Sequence, residues 1–198
     1  MQSIVDRIKK SIYRQKRGFV FTKYHFFDLG NPKTVAKVLE RMAESGEIRR
    51  IARGLYDYPK KHPTFGALPA NVDHVADALA EKDNLKIQPS GAYAANLLGL
   101  SDQVPAKIVF ITDGHNRTIR VNNRHIILKR TTPKNMATAA RVSGLVIQAL
   151  RYIGQDHVND TVIKKLKGKL SDQDKKQLMK DLRYAPVWIG EIFKQLNS

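Results

Sequence analysis

The sequence of 198 residues contains no cysteine and one tryptophan, and its acidic residues are few relative to its basic ones. The absence of cysteine excludes disulfide bonds, thiol catalysis and zinc sites built on thiolates. No apolar run is long enough to cross a bilayer, and the first 17 residues lack the apolar segment of a signal peptide. We therefore expect a cytoplasmic protein without membrane contact.

Motifs for catalysis and for metal binding are also missing. The chain has no glycine-rich phosphate loop, its six histidines do not follow metal-ligand spacing, and its serines do not lie in a nucleophile elbow. The densest polar group, residues 113–117, contains an Asp-Gly pair between two predicted strands, which favours a hairpin loop over an acid–base site. We expect no catalytic residue, no metal and no cofactor.

The charge is strongly positive and unevenly distributed. Lys and Arg number 35 against 18 Asp and Glu, a formal net charge of +17. Residues 1–61 carry +9, residues 62–132 carry +2 and residues 133–198 carry +6. Such an excess favours a polyanionic partner, because neutralising phosphates releases counterions and supplies affinity; an unspecialised basic surface is the alternative. The first third is the predicted nucleic-acid surface and the last third is a second candidate.

The stretch from Gly18 to Tyr58 predicts a winged helix-turn-helix. A basic amphipathic helix ends at Gly18, and a short apolar strand and a short helix capped by Thr22 follow it. A turn at residues 30–32 then starts a longer helix. An arginine-rich hairpin with its tip at Arg53-Gly54 completes the motif, and its imperfect alternation leaves room for a bulge.

The longer helix is predicted to have one buried and one exposed face. Val35, Leu39 and Met42 recur at i, i+4 and i+7 and should be buried. A basic, hydrogen-bonding face of this kind suits a helix that lies in a DNA major groove. The opposite, exposed face carries Lys33, Thr34, Lys37, Glu40, Arg41 and Glu44.

Nine residues are the predicted DNA-binding set. The longer helix would face the major groove, the residues before it would approach phosphates, and the hairpin would contact the backbone or the minor groove, where arginine is favoured. A wing with a purely structural role is the alternative. The set consists of Thr22, Lys23, Lys33, Thr34, Lys37, Arg41, Arg49, Arg50 and Arg53.

Residues 62–198 are predicted to form a second domain, which follows the DNA-binding domain of residues 1–61. Its first nine residues, 62–70, are irregular and indicate an interdomain linker. Residues 62–132 should be mixed α/β with a small antiparallel sheet, in which Asn122-Asn123 makes a tight turn. The predicted fold class of the whole chain is therefore α+β.

The last third, residues 133–198, is predicted to be helical. One long helix should run from Asn135 to Tyr152, a second from Val158 to Leu170, and a final one should follow Pro186. The second of these helices carries a lysine cluster that is either a solvated face or a partner surface. The cluster consists of Lys164, Lys165, Lys167 and Lys169.

Several segments together resemble the AbiEi-type abortive-infection antitoxins of type IV toxin–antitoxin systems. The segments are GEIRRIARGLYDYP in the wing, then PSGAYAANLLGLSDQVPAKIVFITDG, IILKRTTP and APVWIGEIF. The resemblance implies an N-terminal domain that binds inverted repeats in its own promoter and represses its operon. It also implies a larger C-terminal part that counteracts a nucleotidyltransferase-like toxin, by direct or indirect action.

A different function class stays open on the residues alone. The chain is then a winged-helix transcriptional regulator or an RNA-binding module without an antitoxin role. The second basic region favours this alternative, as do four arginines predicted to be exposed, Arg117, Arg120, Arg124 and Arg130. An enzyme acting on nucleic acid is a third class, for which the sequence offers no site.

Overall fold

The computed structural model of the protein describes residues 3–121 and 124–198. The chain divides into two compact units, one comprising Met1–Leu85 with Ile119–Asn123 and the other Lys86–Thr118 with Arg124–Ser198. The first unit therefore continues to Leu85, well beyond the predicted domain boundary at residue 61.

The first unit has the element order of a winged helix-turn-helix, as predicted. Strands β1, β3 and β2 form an antiparallel sheet in that order, and β2 and β3 are the wing. The elements are helix α1 (Ile4–Arg14), strand β1 (Val20–Phe21), a 3₁₀ helix (Lys23–Phe26), helix α2 (Pro32–Glu44), strands β2 (Arg49–Ala52), β3 (Leu55–Asp57), β4 (Lys61–His62) and β5 (Gly66–Ala67), and helix α3 (Val72–Asp83).

Apolar side chains from successive elements fill the core of the first unit. Phe21 and Phe26 are almost fully buried, and their rings meet edge to face with centroids 5.5 Å apart. Ile8 and Ile12 of α1 and Leu39 of α2 pack in the same cluster. Because α1 buries the side that carries its two isoleucines, Arg7, Lys10 and Arg14 are left on the opposite side, facing solvent.

Helix α1 ends at Arg14 rather than at Gly18. Lys16 takes the left-handed conformation that closes the helix, with φ 66°. Gly18 has φ 97° and lies at the entry to the sheet, where its N–H donates a hydrogen bond to the Tyr58 carbonyl at 2.6 Å. The glycine that the sequence assigns to the helix end is thus required at the entry to β1.

The predicted interdomain linker is folded. Its residues include most of the antiparallel hairpin β4–β5, and helix α3 follows and packs against β1. The His74 Nδ1 atom of α3 lies 3.1 Å from the Gly18 carbonyl, which ties this helix to the winged helix. These contacts explain why the first unit ends at Leu85.

The chain from Lys86 onward forms a small sheet and then a series of helices. The sheet has the strand order β6-β7-β9-β8. The elements are β6 (Ile87–Ser90), α4 (Gly91–Leu97), β7 (Lys107–Thr112), β8 (Arg117–Val121), β9 (Arg124–Arg130), α5 (Pro133–Met136), α6 (Val142–Ile153), α7 (Asp160–Lys169), α8 (Asp172–Lys180) and α9 (Val187–Asn197), with 3₁₀ turns at Gln155–His157 and Leu182–Tyr184.

This sheet differs in one pairing from the antiparallel sheet expected. Strands β6 and β7 are antiparallel, but β7 and β9 pair in parallel, with Lys107 opposite His125. The parallel pair arises because β9 lies between β7 and β8 in the sheet. The predicted turn at Asn122-Asn123 lies outside the described residues. The predicted fold class, α+β with a winged helix-turn-helix and a helical C-terminal region, is confirmed.

The single helix predicted from Asn135 to Tyr152 is wrong, because α5 and α6 are separate helices. Ala140 between them has φ 61°, and its N–H donates to the buried Oε1 of Gln88 at 3.1 Å. Gly144, early in α6, packs directly under the Thr138 carbonyl, where no Cβ would fit. Contacts with distant residues, rather than local helix preference, set this break.

Asp181 fixes the start of α6 to α8. Its carboxylate is almost fully buried and accepts hydrogen bonds from Arg141 at 2.7 Å, from Ser143, and from Gln177 at 2.9 Å. Burial by itself would raise the pKa of this carboxyl. The hydrogen bonds from Ser143 and Gln177, with the Arg141 charge, outweigh burial and hold the pKa of Asp181 below its ordinary value.

Candidate nucleic-acid interface

The N-terminus of helix α2 is built as the turn sequence predicts. The Asn31 side chain accepts a hydrogen bond from the Lys33 N–H at 2.9 Å, and Pro32 occupies the first helical position. This cap satisfies an amide group that has no partner within the helix, and proline has no N–H to leave unpaired. The sequence at residues 31–32 therefore defines where α2 begins.

Helix α2 has the two faces that its sequence predicts. Val35, Leu39 and Met42 are buried, and so is Val38, which the prediction did not include. The six polar residues predicted for the opposite face are all exposed. The four apolar side chains fix the rotation of the helix about its axis, so they determine which residues face outward.

The exposed face of α2 is most basic near the N-terminus. Lys33, Lys37 and Arg41 follow one another at four-residue intervals, and their side chains form no ion pair within the described part of the chain. Glu40 and Glu44 lie on the same face, toward the C-terminus. A polyanion is therefore attracted most strongly to the first two turns, where Thr34 adds a hydroxyl between the lysines.

The wing presents two exposed arginines. Arg53 and Gly54 form the hairpin tip, and Gly54 has the positive φ, 71°, that a tight turn requires. The register shifts between Arg50 and Ala52, which confirms the bulge that the sequence left room for. Arg50 and Arg53 are exposed, so both are available to a partner along the wing.

Arg49 has a structural role, which corrects its place in the predicted DNA-binding set. Its guanidinium donates two hydrogen bonds to the carboxylate of Asp57, at 3.0 and 2.6 Å, and a third to the Leu68 carbonyl at 2.8 Å. The Asp57 side chain is only 1% exposed. Because a buried carboxylate needs this partner, Arg49 holds β2 to β3 and to the chain after β5.

Thr22 also has to be withdrawn from the predicted set. It is buried, and its hydroxyl accepts a hydrogen bond from the Tyr24 N–H at the start of the 3₁₀ helix. The His25 ring completes the cap, with its Nδ1 atom 3.3 Å from the Thr22 nitrogen. Lys23 is half-buried, with its ammonium 5.7 Å from the centre of the Tyr24 ring, and stays at the edge of the surface.

Glu47 forms an ion pair with Lys9 of α1, so this lysine is already partnered within the protein. Its carboxylate lies 2.8 Å from the Lys9 ammonium and accepts a hydrogen bond from the Tyr13 hydroxyl at 2.7 Å. The hydrogen bond from Lys9, followed by that from Tyr13, lowers the pKa of Glu47. The same bond to Glu47 raises the pKa of Tyr13 to about 12. These contacts join α1 to the start of the wing.

A second cluster of ionisable groups lies behind the winged helix. His25 Nε2 lies 3.0 Å from Glu81, and the His25 ring packs against Phe19. The adjoining cavity of about 280 Å³ is lined by cations and carboxylates alike. One of these carboxylates, Asp77, has its pKa raised by burial. The mixed charge distinguishes this cavity from the basic face of α2.

The polar group at residues 113–117 is a structural loop. The Asp113 carboxylate accepts a hydrogen bond from the Lys86 N–H at 2.9 Å, and the side-chain Oδ1 of Asn116 accepts one from the Arg130 N–H at 2.7 Å. The predicted hairpin loop is wrong, because the strands on either side of this loop, β7 and β8, are separated in the sheet by β9. Over residues 3–121 and 124–198, no group of three or more potential ligands is placed to hold a metal ion. No helix in those same ranges is long and apolar enough to cross a membrane.

These features define an α+β protein whose N-terminal winged helix-turn-helix exposes a basic helix face and a basic wing tip. Residues 7–178 match DUF6088, a family of unknown function, and the chain belongs to this family. A search of curated proteins gives no match. The chain is similar to the crystal structure of the RV2827C protein from Mycobacterium tuberculosis, with 15% sequence identity, a TM-score of 0.49, and coverage of 100% of this chain and 77% of that chain.

Proposed function

We propose that the protein binds double-stranded DNA through helix α2 and the wing, and that it represses transcription from its own promoter. The observation that carries this proposal is the exposed basic face of α2, capped at its N-terminus and flanked by a wing with two exposed arginines. A helix of this kind places its N-terminal residues at base edges, while a wing contacts the backbone or the minor groove.

The proposal gives the exposed residues separate roles. Lys33, Thr34 and Lys37 lie in the first two turns of α2 and face base edges and the nearest phosphates. Arg41, one turn later, faces the same groove beside Glu40 and Glu44. Arg50 and Arg53 contact phosphates or the minor groove, where the negative potential favours arginine. Lys23 contributes charge at the edge.

The test is binding of the protein to a fluorescent duplex that carries its own promoter. Lys37→Ala together with Arg41→Ala should weaken binding, since a base-reading contact is worth roughly 1–3 kcal/mol. The matched control is Lys165→Ala with Lys169→Ala, which removes the same charge from exposed positions of α7. Equal binding by the two variants, or binding that is insensitive to salt, would show that α2 does not face the DNA.

We further propose an antitoxin role, which rests on the resemblance of four sequence segments to the AbiEi-type antitoxins. In this role the protein acts in the cytoplasm, without an enzymatic activity of its own, and counteracts a nucleotidyltransferase-like toxin. Co-expression with the product of the adjacent gene tests it. Growth arrest by that product alone, relieved by this protein, is the expected outcome. A harmless neighbour, or toxicity that persists in the presence of this protein, would contradict the antitoxin role.

The second candidate function is an RNA-binding module, and the observation that favours it lies in strands β8 and β9. Arg117, Arg120, Arg124 and Arg130 are all exposed, as the sequence predicted. Competition separates the two functions. If structured RNA displaces the promoter duplex at equal phosphate concentration, and replacing Arg124 and Arg130 abolishes this displacement, the RNA-binding function is favoured.

A further inference from the structure

The exposed side of α1 forms a basic cleft that the DNA-binding roles above do not use. Because α1 buries Ile8 and Ile12, residues at i, i+3, i+4 and i+7 from Arg7 lie together on its outer side. The cleft opens to solvent and has a volume of about 220 Å³. It is lined by Arg7, Lys10, Ser11 and Arg14 of α1 and by Asp28 and Leu29 of the loop before α2.

The three cations of this cleft differ from the other basic residues of α1 and of the turn that follows it. Arg7, Lys10 and Arg14 are exposed and form no ion pair within residues 3–121 and 124–198. Lys9, in contrast, pairs with Glu47 at 2.8 Å. Arg17 donates to the Pro59 carbonyl at 3.0 Å and lies over the Tyr58 ring. Three unpaired cations around one hollow repel one another, and an anion between them relieves that repulsion.

The cleft is attached to the start of the helix proposed to enter the major groove. Asp28 and Leu29 are followed by Gly30 and then by the Asn31 cap of α2. The Gly30 backbone lies so close to the Ile4 side chain of α1 that a Cβ at this position would overlap it. The cleft therefore lies beside the N-terminus of α2, the helix that the proposed function places in the groove.

The dimensions of the cleft fit a nucleic-acid backbone. Arg7 and Arg14 are seven residues apart, or about 10 Å along the helix axis. One strand of B-DNA carries about three phosphates over that length of duplex axis. The Ser11 hydroxyl lies between the cations and can donate to a phosphate oxygen. Asp28 places a carboxylate at the same cleft and opposes an anion there.

We propose that this cleft binds the phosphodiester backbone of the duplex bound by α2, without reading its sequence. The inference rests on the proposed DNA-binding function and adds a third contact to the helix and the wing. It assigns Arg7, Lys10 and Arg14 to phosphate binding and Asp28 to limiting its strength. The cleft contributes affinity and fixes orientation, whereas α2 contributes the preference for one sequence.

The experiment measures the affinity for the promoter duplex and for a scrambled duplex over a range of salt concentrations. The plot of log K against log salt has a negative slope, to which each phosphate contact contributes about 0.9. The variant Arg7→Gln, Lys10→Gln, Arg14→Gln should therefore make this slope less steep by about 2–3. The ratio of the two affinities should stay unchanged. Arg7→Lys with Arg14→Lys should keep the slope, and Asp28→Asn should strengthen binding to both duplexes.

The matched control is Lys164→Gln, Lys165→Gln, Lys169→Gln, which removes the same charge from exposed positions of α7 and should leave the slope within 1 of the wild-type value. Thermal unfolding verifies that every variant is folded. An unchanged slope for the α1 variant, with normal binding by the wild type, would refute phosphate binding by the cleft and leave the proposed function intact. Failure of the wild-type protein to bind either duplex would overturn the proposed function, and the cleft with it.

Discussion

Replacing Arg49 by alanine should destabilise the winged helix, because this residue stabilises the fold and is not one of the proposed DNA contacts. The change leaves the Asp57 carboxylate buried without its charged partner and removes three hydrogen bonds from the base of the wing. Breaking a buried ion pair costs about 3–5 kcal/mol. The Arg49 side chain is 28% exposed, so water reaches part of the site and we expect a somewhat smaller loss, about 2–4 kcal/mol.

Thermal and urea unfolding, followed by circular dichroism, measure this loss. At about 2–4 °C per kcal/mol for a chain of this size, the midpoint of unfolding should fall by about 4–16 °C. Arg50→Ala is the matched control, since Arg50 is the exposed neighbour of Arg49 on β2. It should change the free energy of unfolding by less than about 0.5 kcal/mol and weaken DNA binding instead.

A second substitution separates the unpaired charge from the lost packing. Asp57→Asn, added to Arg49→Met, replaces the orphaned carboxylate with a neutral amide and keeps an apolar stem at position 49. The double variant should be more stable than Arg49→Met alone. If Arg49→Ala unfolds within 0.5 kcal/mol of the wild type, or if adding Asp57→Asn brings no recovery, the structural role of Arg49 is refuted.

Three other predictions concern packing and titration. Gly144→Ala should lower the free energy of unfolding by more than about 2 kcal/mol, because its Cβ would meet the Thr138 carbonyl. Gly168→Ala, in open space on α7, should instead raise the free energy of unfolding by about 0.5–1 kcal/mol. Urea unfolding compares the two variants, and equal effects would contradict the packing of Gly144. Because the pKa of Asp181 is lowered, its charged form stabilises the fold above the ordinary aspartate pKa, and this stability is lost as pH falls through the folded-state pKa. In Asp181→Asn, the free energy of unfolding should therefore decrease less steeply with pH below about pH 4. In an absorbance titration Tyr13 should ionise near pH 12, and Glu47→Gln should move that step toward pH 10; a titration that Glu47→Gln leaves unchanged would refute the hydrogen bond.

The winged helix was predictable from the sequence because its signals are local. An asparagine followed by proline defines the start of α2, and the spacing of Val35, Leu39 and Met42 defines its buried face. Both features depend on residues within four turns of one helix. The exposed face followed from the same spacing, so the polar residues of α2 were placed correctly.

The roles of Arg49 and Thr22 were not predictable, because their partners are set by the folded chain. Arg49 and Arg50 each lie between an isoleucine and an arginine in the sequence, so their local context is the same. Only the pairing of β2 with β3 places Arg49 opposite Asp57. A carboxylate on an apolar strand of a hairpin is the one signal that indicates such a pair. Thr22 was correctly expected to cap a helix, and that same role buries its hydroxyl.

Long-range contacts also explain the remaining differences. The helix predicted across residues 135–152 has good helical spacing, but the buried Gln88 side chain bonds to Ala140 and interrupts it. The parallel pairing of β7 with β9 follows from the strand order of the sheet, which no local pattern encodes. The hairpin β4–β5 is too short to leave a periodic signal.

Amide chemical-shift mapping of the full chain with its promoter duplex tests the central claim most directly. Each residue reports separately, so one titration distinguishes the winged helix from the lysines of α7. We predict that the largest shifts fall on the first two turns of α2, on the wing tip around Arg53 and on the outer side of α1. Shifts confined to the α7 lysines, or no shifts at all, would contradict DNA binding by the winged helix.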